Sequence, residues 1–456
     1  MRIHRHRLKL IFALLAPFLR AQAQSTPDIQ QILQRLDRLE SENRELREQV
    51  RQLQQQMGPA VTPAPEETVQ ERLDIEERRT AELAQVKVEA SQRFPIRLSG
   101  MALVNSFYNS QSNGGFDNAT VASAARGGAT GGATWRQTII GLDYRGPETV
   151  WNGKIHGSLF MDFYTGTITG LDNLLRLRTA SLGIDWQSRS LTIAQDKPIF
   201  SPRNPDSLAQ VWLPALAGAG NLWWWNPQIS FEQRIRLGGQ AGVNARIGVI
   251  ETSEREARVP ASFAASLERV RPGLEGRFEF FSRLGEAGRI EIAPGFHVST
   301  THVAAGSAPS HVFSTDWLIR PIRRLELTGF FYTGENVANF DTTGIRQGFS
   351  IIGPGNVLPI QSRGGWAQLK LIATDRLSFH LMAGQHDDRD ADVRSGLGAG
   401  GAAGGIGKNQ AYGANFFYKL APNVVMSFET LQTRTTYLLF GNRLLNHYDL
   451  AFAYLF

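Results

Sequence analysis

Arginine and glutamate recur at alternate positions of otherwise apolar stretches in this chain. Ile229, Phe231, Ile235 and Leu237 interleave with Ser230, Glu232, Arg234 and Arg236, and Val243, Ala245, Ile247 and Val249 interleave with Asn244, Arg246 and Gly248. Side chains alternate between the two faces of a β-strand, so each stretch carries ionised groups on one face and hydrocarbon on the other. A soluble core has no use for such a charged face. A water-filled lumen does, with the apolar face turned to lipid.

A second concentration of charge precedes a run of tryptophans. Asp196 and Lys197 lead into Ser201-Pro202-Arg203-Asn204-Pro205-Asp206, then Val211-Trp212-Leu213, Gly218-Ala219-Gly220 and Leu222-Trp223-Trp224-Trp225. A long link with apolar residues of its own must bury them, and the interior of a barrel is the nearest cover. Folded inward, residues 198–227 would set Asp196, Lys197, Arg203 and Asp206 opposite Arg234, Arg236 and Arg246 of the wall. Mixed charge around a narrow passage sets a transverse field, and arginines favour anions such as carboxylates. The competing reading puts these arginines at turn ends or against lipopolysaccharide, since only 7 of the 48 basic residues are lysine and arginine is the default cation. Trp212 and Trp223–Trp225 are expected to pack against the wall, with a ligand path or an interface belt as alternatives.

Catalytic and metal chemistry find little support. His156, His297, His302, His311, His380, His386 and His447 are scattered, with no GxSxG elbow and no HExxH spacing. His386-Asp387-Asp388-Arg389-Asp390 is a candidate for a divalent ion, against the commoner reading of a solvated loop. No cofactor and no metal is expected. There is no cysteine, so disulfides and thiolate ligands are excluded.

The elements that would position these charges follow from periodicity. From Phe94 onward, short alternating segments rich in aromatic and β-branched residues are separated by turn residues. About sixteen strands are expected, starting near Ile96, Trp135, Lys154, Leu174, Leu191, Gln228, Gly242, Gly276, Arg289, Val312, Arg324, Gly365, Arg376, Gln410, Val424 and His447. Links from even to odd strands are short, as at Gly238–Gln240 and Ala421–Asn423. Links from odd to even strands are long, as at Asn109–Ala133, Ser201–Pro227 and Glu335–Ile360. Short turns at one end and long loops at the other is how an outer-membrane barrel is built. The fold class is therefore all-β, an antiparallel transmembrane β-barrel over 94–456 preceded by an α-helical coiled coil. No apolar run of about 20 residues exists beyond the N-terminus to form a membrane helix.

The first 93 residues divide further. In 1–23, Arg2, Arg5, Arg7 and Lys9 precede an apolar run and Ala21-Gln22-Ala23, the pattern of a cleaved export signal. Five of the six net positive charges lie there with Arg20, leaving +1 for the rest, so nucleic acid is not an expected partner. Over 24–57, Ile29, Leu36, Asn43, Val50 and Met57 occupy heptad position a, and Ile32, Leu39, Leu46 and Leu53 occupy d. Arg35 to Glu40 and Glu42 to Arg47 pair oppositely charged g and e positions, so the chain is expected to associate with copies of itself. This core does not choose dimer or trimer, and a single helix lying on the barrel is the simpler alternative. Residues 58–93 read as a Pro-rich hinge and a connector helix.

The last strand carries Tyr448, Leu450, Phe452, Tyr454 and Phe456 on one face and His447, Asp449, Ala451 and Ala453 on the other. It resembles the C-terminal signal read by the outer-membrane barrel assembly machinery. With Gly141 to Pro147, the export signal, the coiled coil, the strand count and the long third loop, the chain resembles the Gram-negative trimeric porins with periplasmic coiled coils, the DcaP-like and OprP-like channels. The resemblance implies a homotrimer in the outer membrane, among its lipid and lipopolysaccharide, with the coiled coil in the periplasm. It implies a third loop that narrows the pore and passive diffusion of small hydrophilic solutes, with anions as a candidate class. The chain lacks a lysine-rich first loop, so phosphate selectivity of the OprP type is not carried over. A barrel anchoring an adhesive stalk is the alternative function and a barrel enzyme a weaker one. About 363 residues follow position 93, enough for one chain to close its own pore.

Overall fold

A computed structural model describes residue 48 and residues 95–456, apart from 112–116, 119, 126, 166–173, 255–258, 286, 341–342, 344, 346 and 398–404. The export signal, the hinge and connector of 58–93, and the coiled coil except the helical Glu48 lie outside the described residues.

Alternation produces strands throughout the barrel domain. In chain order they are β1 Ile96–Asn109, β2 in two segments Thr130–Thr134 and Ile139–Thr149, β3 Gly153–Thr165, β4 Leu174–Asp185 and β5 Arg189–Asp196. Next come β6 Asn226–Gly238, β7 Ala241–Ser253, β8 Val270–Leu284, β9 Gly288–Val303, β10 Gly306–Ile322 and β11 Leu325–Glu335. The last are β12 Gln361–Ile372, β13 Leu377–Asp388, β14 Ile406–Ala421, β15 Val424–Tyr437 and β16 Gly441–Leu455. Each pairs antiparallel with its chain neighbours, and β1 pairs with β16 from Met101 opposite Leu455 to Asn109 opposite His447. Sixteen strands close one barrel among the described residues, so no strand edge is left free.

The closing seam is tight. Gly100 N–H donates to Phe456 O at 3.0 Å, and Phe456 N–H returns to Gly100 O at 3.2 Å. A Cβ on Gly100 would stand 2.8 Å from the Phe456 ring, so glycine is what lets the terminal aromatic lie across the first strand. The faces of β16 divide as the alternation requires. Tyr448, Leu450, Phe452, Tyr454 and Phe456 are 38–50% exposed, whereas His447, Asp449, Ala451 and Ala453 are buried.

All seven even-to-odd links are short, running from 149–153 to 421–424. The opposite end is less uniform than its sequence suggests. The β9–β10 link is a two-residue turn at Ala304 and Ala305, both at positive φ (53° and 61°), and β15–β16 also turns within a few residues. The long links carry structure of their own: a hairpin of Phe349–Gly353 with Asn356–Pro359 between β11 and β12, and a helical turn at Asp390–Gly396 after β13. Several strands begin earlier than their alternation announces, β8 at Val270 and β10 at Gly306, because strands of such a barrel continue past the lipid into polar residues.

Candidate functional site

The link between β5 and β6, residues 197–225 and here loop 3, folds into the lumen and follows the inner wall. Ile199 N–H donates to Glu275 of β8 (2.7 Å), and Phe200 O accepts from Ser314 Oγ of β10 (3.1 Å). Asp206 exchanges two hydrogen bonds with Gln368 of β12 and accepts a third from Asn415 of β14 at its carbonyl. Ser207 and Gln210 donate to Glu429 of β15 at 2.6 and 3.0 Å. Leu208 O then accepts from Asn105 of β1, and Gln137, in the break between the two segments of β2, bonds Ala209 and Val211. Polar residues on β8 through β15 and on to β2 thus satisfy the backbone of a loop that has no ladder of its own.

The apolar residues of loop 3 are covered as expected. Phe200, Ala215, Leu216, Ala219 and Leu222 pack with Phe330, Tyr332, Trp366 and Met382 of the inner wall. Gly220, at φ 97°, presses on the backbone of Gly365 and Gln385, where a side chain would overlap both. Leu208 and Val211 fill the space left by Ala451 and Ala453, closing what the small residues of β16 would otherwise leave open.

Three groups of charge in the lumen bear on the passage. In the first, Asp316 accepts from Arg203 Nε (2.6 Å) and Arg277 Nε (2.7 Å), while Glu279 takes Arg277 (2.9 Å) and Glu291 takes both Arg203 and Arg289. Three arginines meet three carboxylates, so the group is neutral, and Arg203 remains only 16% exposed. In the second, Lys370 Nζ meets Asp206 Oδ2 at 2.9 Å, with 29% and 43% of the two side chains exposed. In the third, Asp162 is shared by Arg176 (2.6 Å) and Arg178 (2.9 Å), leaving one positive charge in excess. Those arginines lie 4.8–5.4 Å from the rings of Trp212 and Trp225, close enough for cation–π attraction. Trp212 stacks on Tyr164 at 3.4 Å, and Trp223 is fully buried, so the tryptophans pack and two of them also face cations.

The sequence-derived candidates are spread over this scene. Arg203 and Asp206 stand in the first and second groups. Lys197 donates to Pro202 O (3.2 Å), and Asp196 accepts from the Lys197 N–H (2.8 Å) at the start of the loop. Burial holds the Lys197 ammonium below the ordinary lysine range, against the pull of Asp196 and with the help of Arg178. Arg246 reaches Ser230 from the wall (3.0 and 2.9 Å). Arg234 bonds the carbonyls of Trp186 and Arg189 at the short-turn end, and exposed Arg236 lies two residues nearer that end, so neither touches the loop 3 network.

Partners not singled out from the sequence are Asp162, Arg176, Arg178, Arg277, Glu279, Arg289, Glu291, Asp316 and Lys370. Leu174-Leu175-Arg176-Leu177-Arg178 and Arg277-Phe278-Glu279-Phe280 carry the same alternation as β6 and would have disclosed four of them. Asp316, between Thr315 and Trp317, has no such signal.

Two further clusters bear on catalysis and metal binding. Glu275 Oε1, His297 Nδ1 (3.0 Å), His297 Nε2 and Ser299 Oγ (2.7 Å) form a chain like that of a nucleophilic triad. All three residues are buried and Ser299 also accepts from Arg271, so the chain braces loop 3 through Ile199 and offers no approach to a substrate. His386 and Asp388 point inward, with Asp388 Oδ1 2.7 Å from His386 Nε2, while Asp387 points outward to Arg363 and Lys408. Strand alternation therefore separates the ligands of the would-be metal site.

No protein-family model matches the chain, and no curated protein sequence does. Solved structures do match. The outer membrane channel DcaP of Acinetobacter baumannii superposes with a TM-score of 0.61 at 16% identity, over 79% of this chain and 97% of that one. An anion-selective porin from Comamonas acidovorans gives 0.52 at 11% identity, over 79% and 99%. With its closed sheet, apolar outer face and inward third loop, the chain has the fold of the sixteen-stranded outer-membrane porins.

Proposed function

We propose that the protein is a passive diffusion channel of the outer membrane for small hydrophilic solutes, with a preference for anions. The observation that carries this reading is a closed barrel whose lumen holds ionised side chains around a loop pinned to its wall. Asp196, Lys197, Arg203, Asp206 and Arg246 act at or beside the constriction, and Arg234 and Arg236 act at the short-turn mouth. The excess positive charge where Asp162 serves both Arg176 and Arg178 supports the anion preference, as does the likeness to a porin described as anion-selective. The chain is not an enzyme on this reading, because both triad-like chains among the described residues, Glu275–His297–Ser299 and Asp388–His386–Tyr332, are sealed.

The 24–57 heptads hold three copies together on the periplasmic side, where the chain enters β1. The aromatic face of β16 serves as the signal to the barrel assembly machinery, and lipopolysaccharide surrounds the outer rim. Planar-bilayer recording tests the proposal: discrete conductance steps are expected, with a reversal potential in a salt gradient of the sign for anions. A folded, heat-modifiable barrel that gives no steps overturns it.

A further inference from the structure

The outer face of β11–β15 changes character along its length in a way that the pore does not use. Cross-strand register gives its rows. Arg363, Asp387 and Lys408 stand side by side at the long-loop end. Below them come Gly365, Gln385, Gln410 and Arg434, then Ala367, Ala383 and Tyr412, then Leu369 and Leu381, and then Leu371 and Phe379. Two grooves follow this gradient and share Arg363: an upper one of about 720 Å³ lined by charge, and a lower one of about 500 Å³. The floor of the lower groove is Gly365, Ala367 and Ala383, with Phe331 and Tyr412 as banks.

The upper groove is in cationic excess. Arg363, Lys408 and Arg434 face the outward carboxylates Asp387 and Asp390, while Arg389 pairs with Asp392 (3.8 Å) and the Asp388 carboxylate is occupied inside the barrel. Asp387 is divided between Arg363 (3.2 Å) and Lys408 (3.4 Å), and Arg434 has no ion-pair partner among the described residues. Exposed cations above a trough of small apolar residues fit an amphiphile standing upright, anionic groups above and hydrocarbon below. The order of the rows places the charged end on the long-loop side, which is the outer leaflet if the protein lies in an outer membrane.

We propose that this double groove is a binding site for the phosphorylated glycolipid of the outer leaflet, with sugar phosphates on Arg363, Lys408 and Arg434 and one acyl chain along Gly365, Ala367 and Ala383. The proposal rests on the outer-membrane reading above and adds a site and a stoichiometry to it. Arginine and lysine supply the charge-assisted hydrogen bonds, and the glycine and alanine floor supplies the room.

The test uses the full chain, purified free of lipopolysaccharide in detergent and titrated with bisphosphorylated lipid A by native mass spectrometry. Saturable binding of one lipid per chain is expected. Arg363→Glu combined with Arg434→Glu should weaken it at least tenfold, and so should Ala383→Trp, which fills the trough without touching a charge. Dephosphorylated lipid A and phosphatidylglycerol should bind at least tenfold more weakly than the bisphosphorylated form. Equal binding of phosphatidylglycerol, or unchanged binding by both variants, overturns the site. Cross-linking between copies through Gln385→Cys would also overturn it, by making the groove a contact between subunits. Heat-modifiability of each variant confirms its fold, and bilayer recording on the same samples separates the two claims. Lost conductance with intact binding sinks the channel reading alone, and the reverse sinks the lipid site alone.

Discussion

Arg203 Nε stands 2.6 Å from Asp316 Oδ1, joining loop 3 to a strand of the wall 113 positions further along the chain. Asp316 is fully buried and shared with Arg277, so removing Arg203 leaves its charge only half answered. Arg203→Ala should cost on the order of 2 kcal/mol, less than the loss of a sole partner because Arg277 remains. The released loop should also widen the passage, seen as larger single-channel conductance and a reversal potential shifted toward cations. Unchanged conductance would mean that the remaining anchors from Asp206 to Val211 hold the loop alone.

Selectivity should respond more strongly at Asp162. Replacing both Arg176 and Arg178 by glutamine leaves that carboxylate without either cation, turning local excess positive charge into negative. The anion-to-cation permeability ratio should fall several-fold, by reversal potential in a potassium chloride gradient. A ratio that stays put would place the preference elsewhere. Lys370→Ala should behave differently, since its pair with Asp206 is partly solvated: thermal stability should change by about 0–1 kcal/mol, and any effect on conductance should fade at about 1 M salt.

Lys197 supplies a pH dependence. Burial lowers its pKa, so in the folded protein the charge is lost at a pH below the ordinary lysine value of about 10.4. Anion preference should therefore decline as pH rises through that lowered value, before exposed lysines titrate. The unfolded chain still holds the proton there, so this group favours the folded state most above the ordinary lysine pKa and least below its lowered one. Lys197→Met should abolish the alkaline decline. A decline of the same size in the variant would assign it to another group.

Gly220 tests the docking of the loop rather than its charge. Gly220→Val places a branched side chain at φ 97° and against the backbone of Gly365 and Gln385. The conformational cost alone is roughly 1–2 kcal/mol, so the loop should undock while the barrel still closes. Noisier, larger channels with normal heat-modifiability are expected; a silent exchange would show that the contact is not needed.

Deleting residues 24–57 should lower the melting temperature of the oligomer in detergent and leave the monomeric barrel folded. Equal oligomer melting would count against the heptad register built on Ile29, Leu36 and Asn43.

Much of this architecture is legible in the order of residues because a barrel strand has two dissimilar solvents. Ile229, Phe231 and Ile235 had to be apolar and Ser230 and Glu232 polar, and the structure keeps that division. The sites are less legible, for a physical reason. Asp316 serves Arg203 and Arg277 from separate strands, and nothing near Thr315 or Trp317 announces it. Arg234 and Arg246 have the same local pattern and stand only two residues apart in height on paired strands, yet one bonds the carbonyls of Trp186 and Arg189 and the other Ser230, a choice of partner set by neighbouring strands that no single strand records. Ala304 and Ala305 conceal a tight turn, since the hairpin imposes positive φ on residues that do not favour it.

The Gly100–Phe456 seam bears on how the molecule comes into being. Its two hydrogen bonds join the first barrel strand to the last, so no partial chain emerging in order can complete the sheet. Until β16 arrives, β1 keeps an unpaired edge able to recruit other strands, and the most distant pairing must form late. Assembly of this fold therefore depends on something that shields that edge in transit, and slow folding with a tendency to aggregate is built into its topology.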